Sequence, residues 1–395
     1  MVEKRLVYAL VLFAATVFHI FFVDYLSFFI LAFTLALPAV SLLITFFARR
    51  GVKVEIEVKS LSVQKKERMP VRLRVNNIGF MTCLIRVKLV IRNELLQEEE
   101  TEMFFITAGR TEQTVEQNLS SQYCGKLDFR IKELRIYDCL GLFSFRQKTL
   151  QEQSCTVFVL PELFPLIDAD RSLKIHEDAV SNEFSPSKAG DDPSELIDIR
   201  EYRKGDRISR IHWKLSDRQD RLMVRDFGLP ISNKVLLLFD LNGSNLEVDG
   251  LLDTLYSISF FFLQNQIVHE IEWYDSLRGC FMHTTIAEEG DLNTSLNVVL
   301  SECRPQLQPL VLQNCCGSDS GDAGQYSQVI YLCSGITPDF IALFRDRMAE
   351  SRIHILLVKE GGDLKEAGAR AKALGVNITA VDLENIGQSL STFTL

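Results

Sequence analysis

The sequence lacks the spaced cysteines and glycines that mark several common classes of site. Its nine cysteines are scattered and contain no Cys-x-x-Cys pair, which argues against a disulfide framework and a zinc site. No Gly-x-Gly-x-x-Gly or Walker-type Gly-Lys-Ser/Thr is present, which argues against an ordinary dinucleotide or nucleotide triphosphate site. The net charge of −9 argues against nucleic-acid binding by the molecule as a whole.

Catalytic signals are also sparse. The chain has six histidines, and only His212 lies beside dense charge. Nucleophilic catalysis needs a base and an orienting group near the nucleophile, and the sequence offers no such set. It therefore favours a protein that is not an enzyme.

Charge is missing from two N-terminal runs, Leu6–Val23 and Leu26–Phe47. Each is about 20 residues long, enough to cross roughly 30 Å of hydrocarbon as a helix. Basic residues flank the pair on both outer sides, at Lys4, Arg5, Arg49 and Arg50. This asymmetry predicts that both ends face the cytoplasm.

A cleaved signal peptide and a buried soluble helix pair are the alternatives for these runs. The first run is too long for a signal core, and a second apolar run follows it at once. We therefore predict a transmembrane helical hairpin over residues 1–50 that contacts the lipid bilayer through residues 6–47. The soluble remainder is predicted to be cytoplasmic, which agrees with reduced thiols.

The rest of the chain changes its hydrophobic period twice. From Val52 to Pro161 apolar and polar residues alternate, which predicts an antiparallel, immunoglobulin-like β-sandwich over 51–165. Residues 166–230 are interpreted as a linker with a charged block, of which 166–189 is a polar surface loop. Over 231–395 apolar strands alternate with helices, as in a parallel, doubly wound α/β domain.

The charged block runs from Asp198 to Asp226 and contains nine Lys or Arg and six Asp or Glu. Ile208, Ile211 and Leu215 are spaced for one face of a helix. Trp213 is predicted to be buried between the sandwich and the α/β domain, with Tyr202 close by, because large aromatics flanked by charges usually pack their rings. Two roles stay open for the block: a salt-bridge lattice that holds the domains together, and docking of a partner through its basic face.

These residues carry a family resemblance. The block resembles the signature of the bacterial "domain of unknown function 58" proteins at Arg200, Glu201, Tyr202, Gly205, Asp206, Arg210, Trp213, Lys214 and Arg218. The preceding Tyr137-Asp138-x-x-Gly141-Leu142-Phe143 is similar to a strand end of that family. The resemblance implies a von Willebrand factor A-like C-terminal domain and a partner, a MoxR-type AAA+ ATPase, alongside other membrane proteins.

The resemblance also implies a candidate metal site. Von Willebrand factor A-like domains can hold a divalent cation through Asp-x-Ser-x-Ser at the end of the first strand, and here the matching residues are Asp240, Asn242 and Ser244. Their oxygen donors suit Mg²⁺, although Ser334-Gly335 stands where the family has a later Asp. The alternative is that Asp240 caps the following turn.

Together these features predict a membrane-tethered cytoplasmic interaction or scaffold protein. It would work with a MoxR-type AAA+ ATPase in the assembly or maturation of a client, without nucleic acid. The alternative is a divalent-metal-dependent hydrolase that uses Asp240 with Asp198 or Asp206. A third hypothesis assigns the basic block to anionic lipid headgroups.

Overall fold

A computed structural model describes residues 2–77, 82–109, 111–147, 154–166, 184–190, 196–230, 234–306, 311, 326–348, 351–359 and 375–391. The chain forms two compact units, Met1–Leu160 and Pro161–Leu395. The first unit combines a helical hairpin with two β-sheets, and the second contains mixed α/β structure.

The hairpin consists of helices α1 (Val2–Phe21) and α2 (Tyr25–Ala48). The chain reverses at Asp24, whose backbone N–H donates to Ser27 Oγ at the start of α2. Both helices are long and apolar enough to cross a membrane, as predicted. Pro38 lies inside α2, where a membrane helix tolerates it.

Two sheets complete the first unit. One has the order β1-β3-β6, and the other has the order β2-β9-β7-β4-β5 with β8 paired to β7. The strands are β1 (Val52–Val58), β2 (Ser62–Gln64), β3 (Met69–Asn77), β4 (Cys83–Asn93), β5 (Glu99–Ala108), β6 (Gln113–Leu119), β7 (Gly125–Tyr137), β8 (Ser144–Gln147) and β9 (Ser154–Leu160). All pairs are antiparallel except β2 with β9, so the purely antiparallel prediction is wrong at this edge.

The period of two explains why the two sheets share one core. Alternate residues of β3, such as Val71 and Leu73, are buried together with Ile85 and Val87 of β4 and Phe129 of β7 in a single cluster. The residues between them are mostly charged and face outward. Burial of the apolar rows drives the packing of one sheet on the other.

The charged block belongs to a small sheet of the second unit. Its strands β10 (Phe184–Gly190), β11 (Leu196–Glu201) and β12 (Met223–Pro230) are antiparallel in the order β10-β12-β11. The connection from β11 to β12 contains a 3-10 turn at Ile208–Arg210 and helix α3 (Trp213–Gln219). The predicted loop at 166–189 is wrong over 184–189, which lies in β10, and its residues 167–183 lie outside the described chain.

The large sheet of the second unit has the order β15-β14-β13-β16-β17-β18. Its strands are β13 (Lys234–Phe239), β14 (His269–Asp275), β15 (Cys280–Ile286), β16 (Tyr326–Cys333), β17 (Arg352–Lys359) and β18 (Asn377–Asp382). Neighbours are parallel except for β15, an antiparallel edge strand that was not predicted. The accompanying helices are α4 (Asn245–Gln264), α5 (Glu289–Glu302), α6 (Pro338–Arg347) and α7 (Ile386–Ser391).

This strand order reverses its direction at β13, next to Asp240. The chain leaves β13 toward β14 on one side and later returns to β16 on the other side. In open parallel sheets, ligands bind outside the carboxyl ends of the strands at such a reversal. Asp240 follows β13 directly and therefore lies at this position. The alternation of strands and helices also predicts a helix at Leu364–Leu374, which lies outside the described residues.

Candidate functional site

A bidentate ion pair organises the first part of the charged block. The Arg200 guanidinium donates to both carboxylate oxygens of Asp206, at 2.8 and 2.9 Å. The backbone N–H of Arg203 donates to the same carboxylate at 2.7 Å. Gly205 has a φ of +116°, a conformation in which an L side chain is strained. Gly205 therefore allows a tight turn that brings Asp206 back to Arg200, near the end of β11.

This ion pair lowers the pKa of Asp206 to about 2, mainly through the hydrogen bonds from Arg200 and Arg203. An ordinary Asp side chain has a pKa of about 3.9. The ion pair therefore stabilises the folded chain above that pH, and this stabilisation is lost as the pH falls toward about 2. We expect carboxyl NMR to give a midpoint near 2, with the signal assigned from Asp206→Asn. Arg200→Gln should raise the midpoint toward the ordinary value, and a wild-type midpoint already near about 4 would contradict the ion pair.

A second set of contacts braces the start of α3. His212 caps the helix, because its Nδ1 accepts from the Leu215 N–H at 3.3 Å. The buried Ser216 hydroxyl donates to the His212 carbonyl at 3.1 Å and accepts from the Met223 N–H at 2.9 Å. Ile211 pairs with Val224 as an isolated β-bridge, and both are buried. The connection is therefore fixed to β12 over residues 211–216.

Trp213 projects away from this braced core. Its side chain is 62% exposed and that of Ile208 is 69% exposed, so the predicted burial of Trp213 is wrong. The predicted helical face is also wrong, since Ile208 lies in a 3-10 turn and Ile211 in a β-bridge. The helix begins only at Trp213, and the three apolar residues never share one helical face.

The remaining signature residues fall into an inner and an outer group. Tyr202 is half-buried, and its N–H donates to the Leu222 carbonyl at 2.8 Å. Glu201 lies 3.8 Å from Arg221 in an exposed pair, and Arg210 is half-buried. The outer signature residues are the exposed Trp213, Lys214 and Arg218. We call these three, together with the exposed neighbours in the sequence Arg203, Lys204, Arg207 and Ile208, the signature surface.

Asp240 occupies a different environment at the carboxyl end of β13. Its side chain is 6% exposed. The Tyr331 hydroxyl donates to its Oδ2 at 2.6 Å, and the Val311 N–H lies 3.2 and 3.3 Å from the two oxygens. Burial of a carboxylate is tolerated where such donors replace water. Asp240 thus ties β13 to β16 and to residue 311.

Asn242 and Ser244 serve two further structural contacts. Asn242 Oδ1 accepts from the Ser334 N–H at 3.0 Å, and the Ser334 hydroxyl donates to the Asn242 carbonyl. Ser244 caps α4 by accepting from the Glu247 N–H, while Glu247 accepts from the Ser244 N–H in return. The capping role predicted as the alternative for Asp240 therefore belongs to Ser244.

This donor set does not fit a divalent cation. Each of the three candidate ligands uses its side-chain oxygen on a protein donor, and Mg²⁺ needs those oxygens in an octahedral arrangement. Within the described residues, no group of three or more His, Cys, Asp or Glu side chains is placed to hold a metal ion. We derive no chemistry through a metal at Asp240.

Four residues that matter in these clusters carried little or no signal in the sequence. Ser216 hydrogen-bonds residues four and seven positions away, and Tyr331 and Ser334 hydrogen-bond residues 91 and 92 positions away. A lone Ser or Tyr in the sequence does not reveal such a partner. Ile208 is predicted to share a helical face with Ile211 and Leu215, and the structure instead exposes it in a 3-10 turn.

The chain is distantly similar to several solved structures. The CARDB domain of a Pyrococcus furiosus protein with di-metal ions is 16% identical, over 28% of this chain and 87% of that one, with a TM-score of 0.20. The sporulation control protein Spo0M of Bacillus subtilis is 16% identical, over 33% of this chain and 56% of that one, with a TM-score of 0.18.

A β-glucosidase of Erythrobacter marinus is 12% identical over 28% of this chain, with a TM-score of 0.20, and the match spans only 15% of that enzyme. At these TM-scores the likenesses support no conclusion about fold or function. No curated protein matches the chain.

One family match coincides with the charged block. Residues 198–247 match the family described as "Protein of unknown function DUF58". The matched segment holds the Arg200–Asp206 ion pair, α3 with Trp213, and Asp240, so it contains every signature residue of the charged block, whereas the similar strand end at residues 137–143 lies outside it. The similarity to this family therefore covers the charged block and the first strand of the large sheet.

Proposed function

We propose that this chain is a membrane-tethered interaction protein whose signature surface docks a protein partner. The observation that carries the proposal is the exposure of Trp213 and Ile208 among basic side chains on a braced connection. Trp and Arg are the residue types that most often dominate binding energy at protein interfaces. An exposed indole on a rigid support binds with little loss of conformational entropy.

The charge of the surface selects the kind of partner. Arg203, Lys204 and Arg207 lie on one side of Trp213 in the sequence, and Lys214 and Arg218 lie on the other. Such a surface favours an acidic patch with an apolar centre and speeds the association of such a partner at low salt. By resemblance, the partner is a MoxR-type AAA+ ATPase, and the complex acts on a client at the membrane.

The proposal includes the finer fold assignments. The two sheets that share one core are taken as an immunoglobulin-like sandwich that acts as a spacer. The second unit is taken as a von Willebrand factor A-like domain, and its parallel strands with a reversal at β13 support this assignment. The hairpin is taken as the membrane anchor, with the rest of the first unit and the second unit in the cytoplasm.

The test measures binding of the full-length protein, in nanodiscs, to the purified MoxR-type ATPase of the same organism. Trp213→Ala should weaken binding about 30-fold, since an interface hot spot contributes about 2 kcal/mol or more. The thermal midpoint should barely change, because exposed substitutions usually stay within about 0.5 kcal/mol. Lys204→Ala should weaken binding less and reduce its dependence on salt.

Two exposed residues of the first unit provide matched controls, Leu61 for the apolar change and Lys59 for the basic one. Leu61→Ala and Lys59→Ala should leave the affinity unchanged. If Trp213→Ala and Lys204→Ala bind the ATPase as tightly as the wild type, the signature surface is not its docking site.

A further inference from the structure

We infer that the end of the β-sheets next to the hairpin lies in the headgroup layer of the bilayer, with Leu84 and Phe105 in contact with lipid. This inference rests on the proposed membrane hairpin and adds a second, non-helical lipid contact. Three observations within the first unit carry it: the joint between hairpin and sheets, the level of that joint along α2, and the apolar side chains beside it.

The joint is made by the loop from Asp138 to Phe143, which follows β7. Ser41 of α2 donates to Asp138 Oδ2 at 2.9 Å, and the Phe143 N–H donates to Oδ1 at 2.7 Å. Arg5 of α1 donates to the Leu142 carbonyl at 2.9 Å. Ser41 and Asp138 are both buried. The loop is therefore held against the hairpin by buried polar contacts.

The position of Ser41 along α2 places the joint at the depth of the membrane–water interface. Ser41 precedes the end of α2 by two helical turns, about 10 Å. Leu43 and Phe47 lie in those two turns, and each is 59% exposed. If the loop beside Ser41 stayed in water, these two side chains would also face water. A bilayer whose interface reaches Phe47 covers them, and it then surrounds the loop.

Basic residues mark the same level. Arg5 contacts the loop directly, and the Lys4 side chain lies so close to Gly141 that a Cβ there would approach Lys4 Cδ to 2.7 Å. Arg49 lies about 12 Å farther along the helix axis than Ser41, where its guanidinium stacks over Phe46, 4.1 Å from the ring centroid, and it marks the outer side of the headgroup layer. Lysines and arginines at helix ends place their charges among lipid phosphates, so the loop lies at the depth of the headgroups.

The sheet continues from this loop to an exposed apolar pair. Leu84 of β4 is paired in register with Tyr137, the residue before Asp138, and also with Thr107 of β5. Phe105 lies two residues along β5 and is 62% exposed. Directly opposed residues share one face of a sheet, and diagonal neighbours on that face are within reach of each other. Leu84 and Phe105 thus form an outer apolar edge beside the joint.

Basic side chains surround this edge on the same face. Arg86 lies opposite Phe105, and Lys88 lies opposite Met103. Arg86 also lies 3.6 Å from Glu133, so the negative charge of the Glu133 carboxylate is offset by an ion pair. Long basic side chains lay their stems on apolar surface and extend their charges to phosphate. An apolar edge with flanking basic groups suits an anionic lipid surface.

The test places a tryptophan at three positions of the full-length protein in nanodiscs that contain anionic lipid and phosphatidylcholine brominated near the carbonyl end of its chains. Phe105→Trp should lose most of its added fluorescence, relative to unbrominated nanodiscs, after subtraction of the parent spectrum. Thr101→Trp is the matched control, because Thr101 lies on the same face of β5 and about 13 Å farther from the joint. It should keep most of its added emission.

Phe33→Trp, in α2, reports on the hairpin itself and should be quenched. If Phe33→Trp is quenched and Phe105→Trp is not, the proposed membrane hairpin stands and this inference is overturned. If none of the three is quenched, the hairpin proposal fails as well. Leu84→Trp repeats the measurement if Phe105→Trp does not fold, and equal quenching at positions 101 and 105 would also overturn the inferred depth.

Discussion

Asp240→Ala is expected to lower the free energy of unfolding of the second unit by about 3 kcal/mol, because it leaves buried donors without their acceptor. The donors are the fully buried Tyr331 hydroxyl and the Val311 N–H. Urea unfolding can be followed by the fluorescence of Trp273, which is buried and stacks on Phe239, the residue before Asp240. The transition should shift to lower urea with an unchanged slope.

Two variants separate this effect from simpler ones. Asp240→Asn keeps one acceptor oxygen and should cost less than the alanine change. Ser244→Ala removes only the cap of α4 and should cost about 1 kcal/mol. If Asp240→Ala unfolds like the wild type in the absence of metal and differs only when Mg²⁺ is added, the hydrogen-bonding role is wrong and the metal-site prediction is restored.

Asp138→Ala is expected to loosen the loop that joins the hairpin to the sheets. The change removes an acceptor that is only 3% exposed and that serves both Ser41 and Phe143. Hydrogen bonds to a charged group contribute about 1.5–3 kcal/mol each. Hydrogen exchange measured by mass spectrometry over residues 137–145 should become about 30-fold faster, which corresponds to about 2 kcal/mol of lost protection.

Ser41→Ala is the control for this prediction, since Asp138 then keeps the Phe143 N–H. Hydrogen exchange over residues 137–145 should be accelerated less in Ser41→Ala than in Asp138→Ala. Peptides from the second unit should exchange at wild-type rates in both variants. Unchanged exchange over residues 137–145 in Asp138→Ala would show that the backbone hydrogen bonds of the loop suffice to hold it.

Features that depend on neighbouring residues were predictable from the sequence. The charge-free runs became α1 and α2, the alternation around Val71 and Leu73 became buried rows of β3, and the apolar run at Val235 became β13. The period of burial is a property of consecutive residues, so a single sequence reveals it. The signature block was recognisable for the same reason, because its spacing is local.

The tertiary structure alone determined what the individual site residues do. Asp240 meets Tyr331 across 91 positions of sequence, and Ser41 meets Asp138 across 97. No local pattern encodes which buried donor will face which acceptor. That pairing follows from strand order and register, which place distant residues side by side.

Trp213 also shows that local sequence does not determine which side chains are buried. Its flanking charges predicted a packed ring, yet the ring is exposed. The local core was filled instead by Ile211 against Val224 and by Ser216 between His212 and Met223. Which side chains are buried depends on which ones pack against β12 in the folded chain. The residues next to Trp213 in the sequence do not specify this packing.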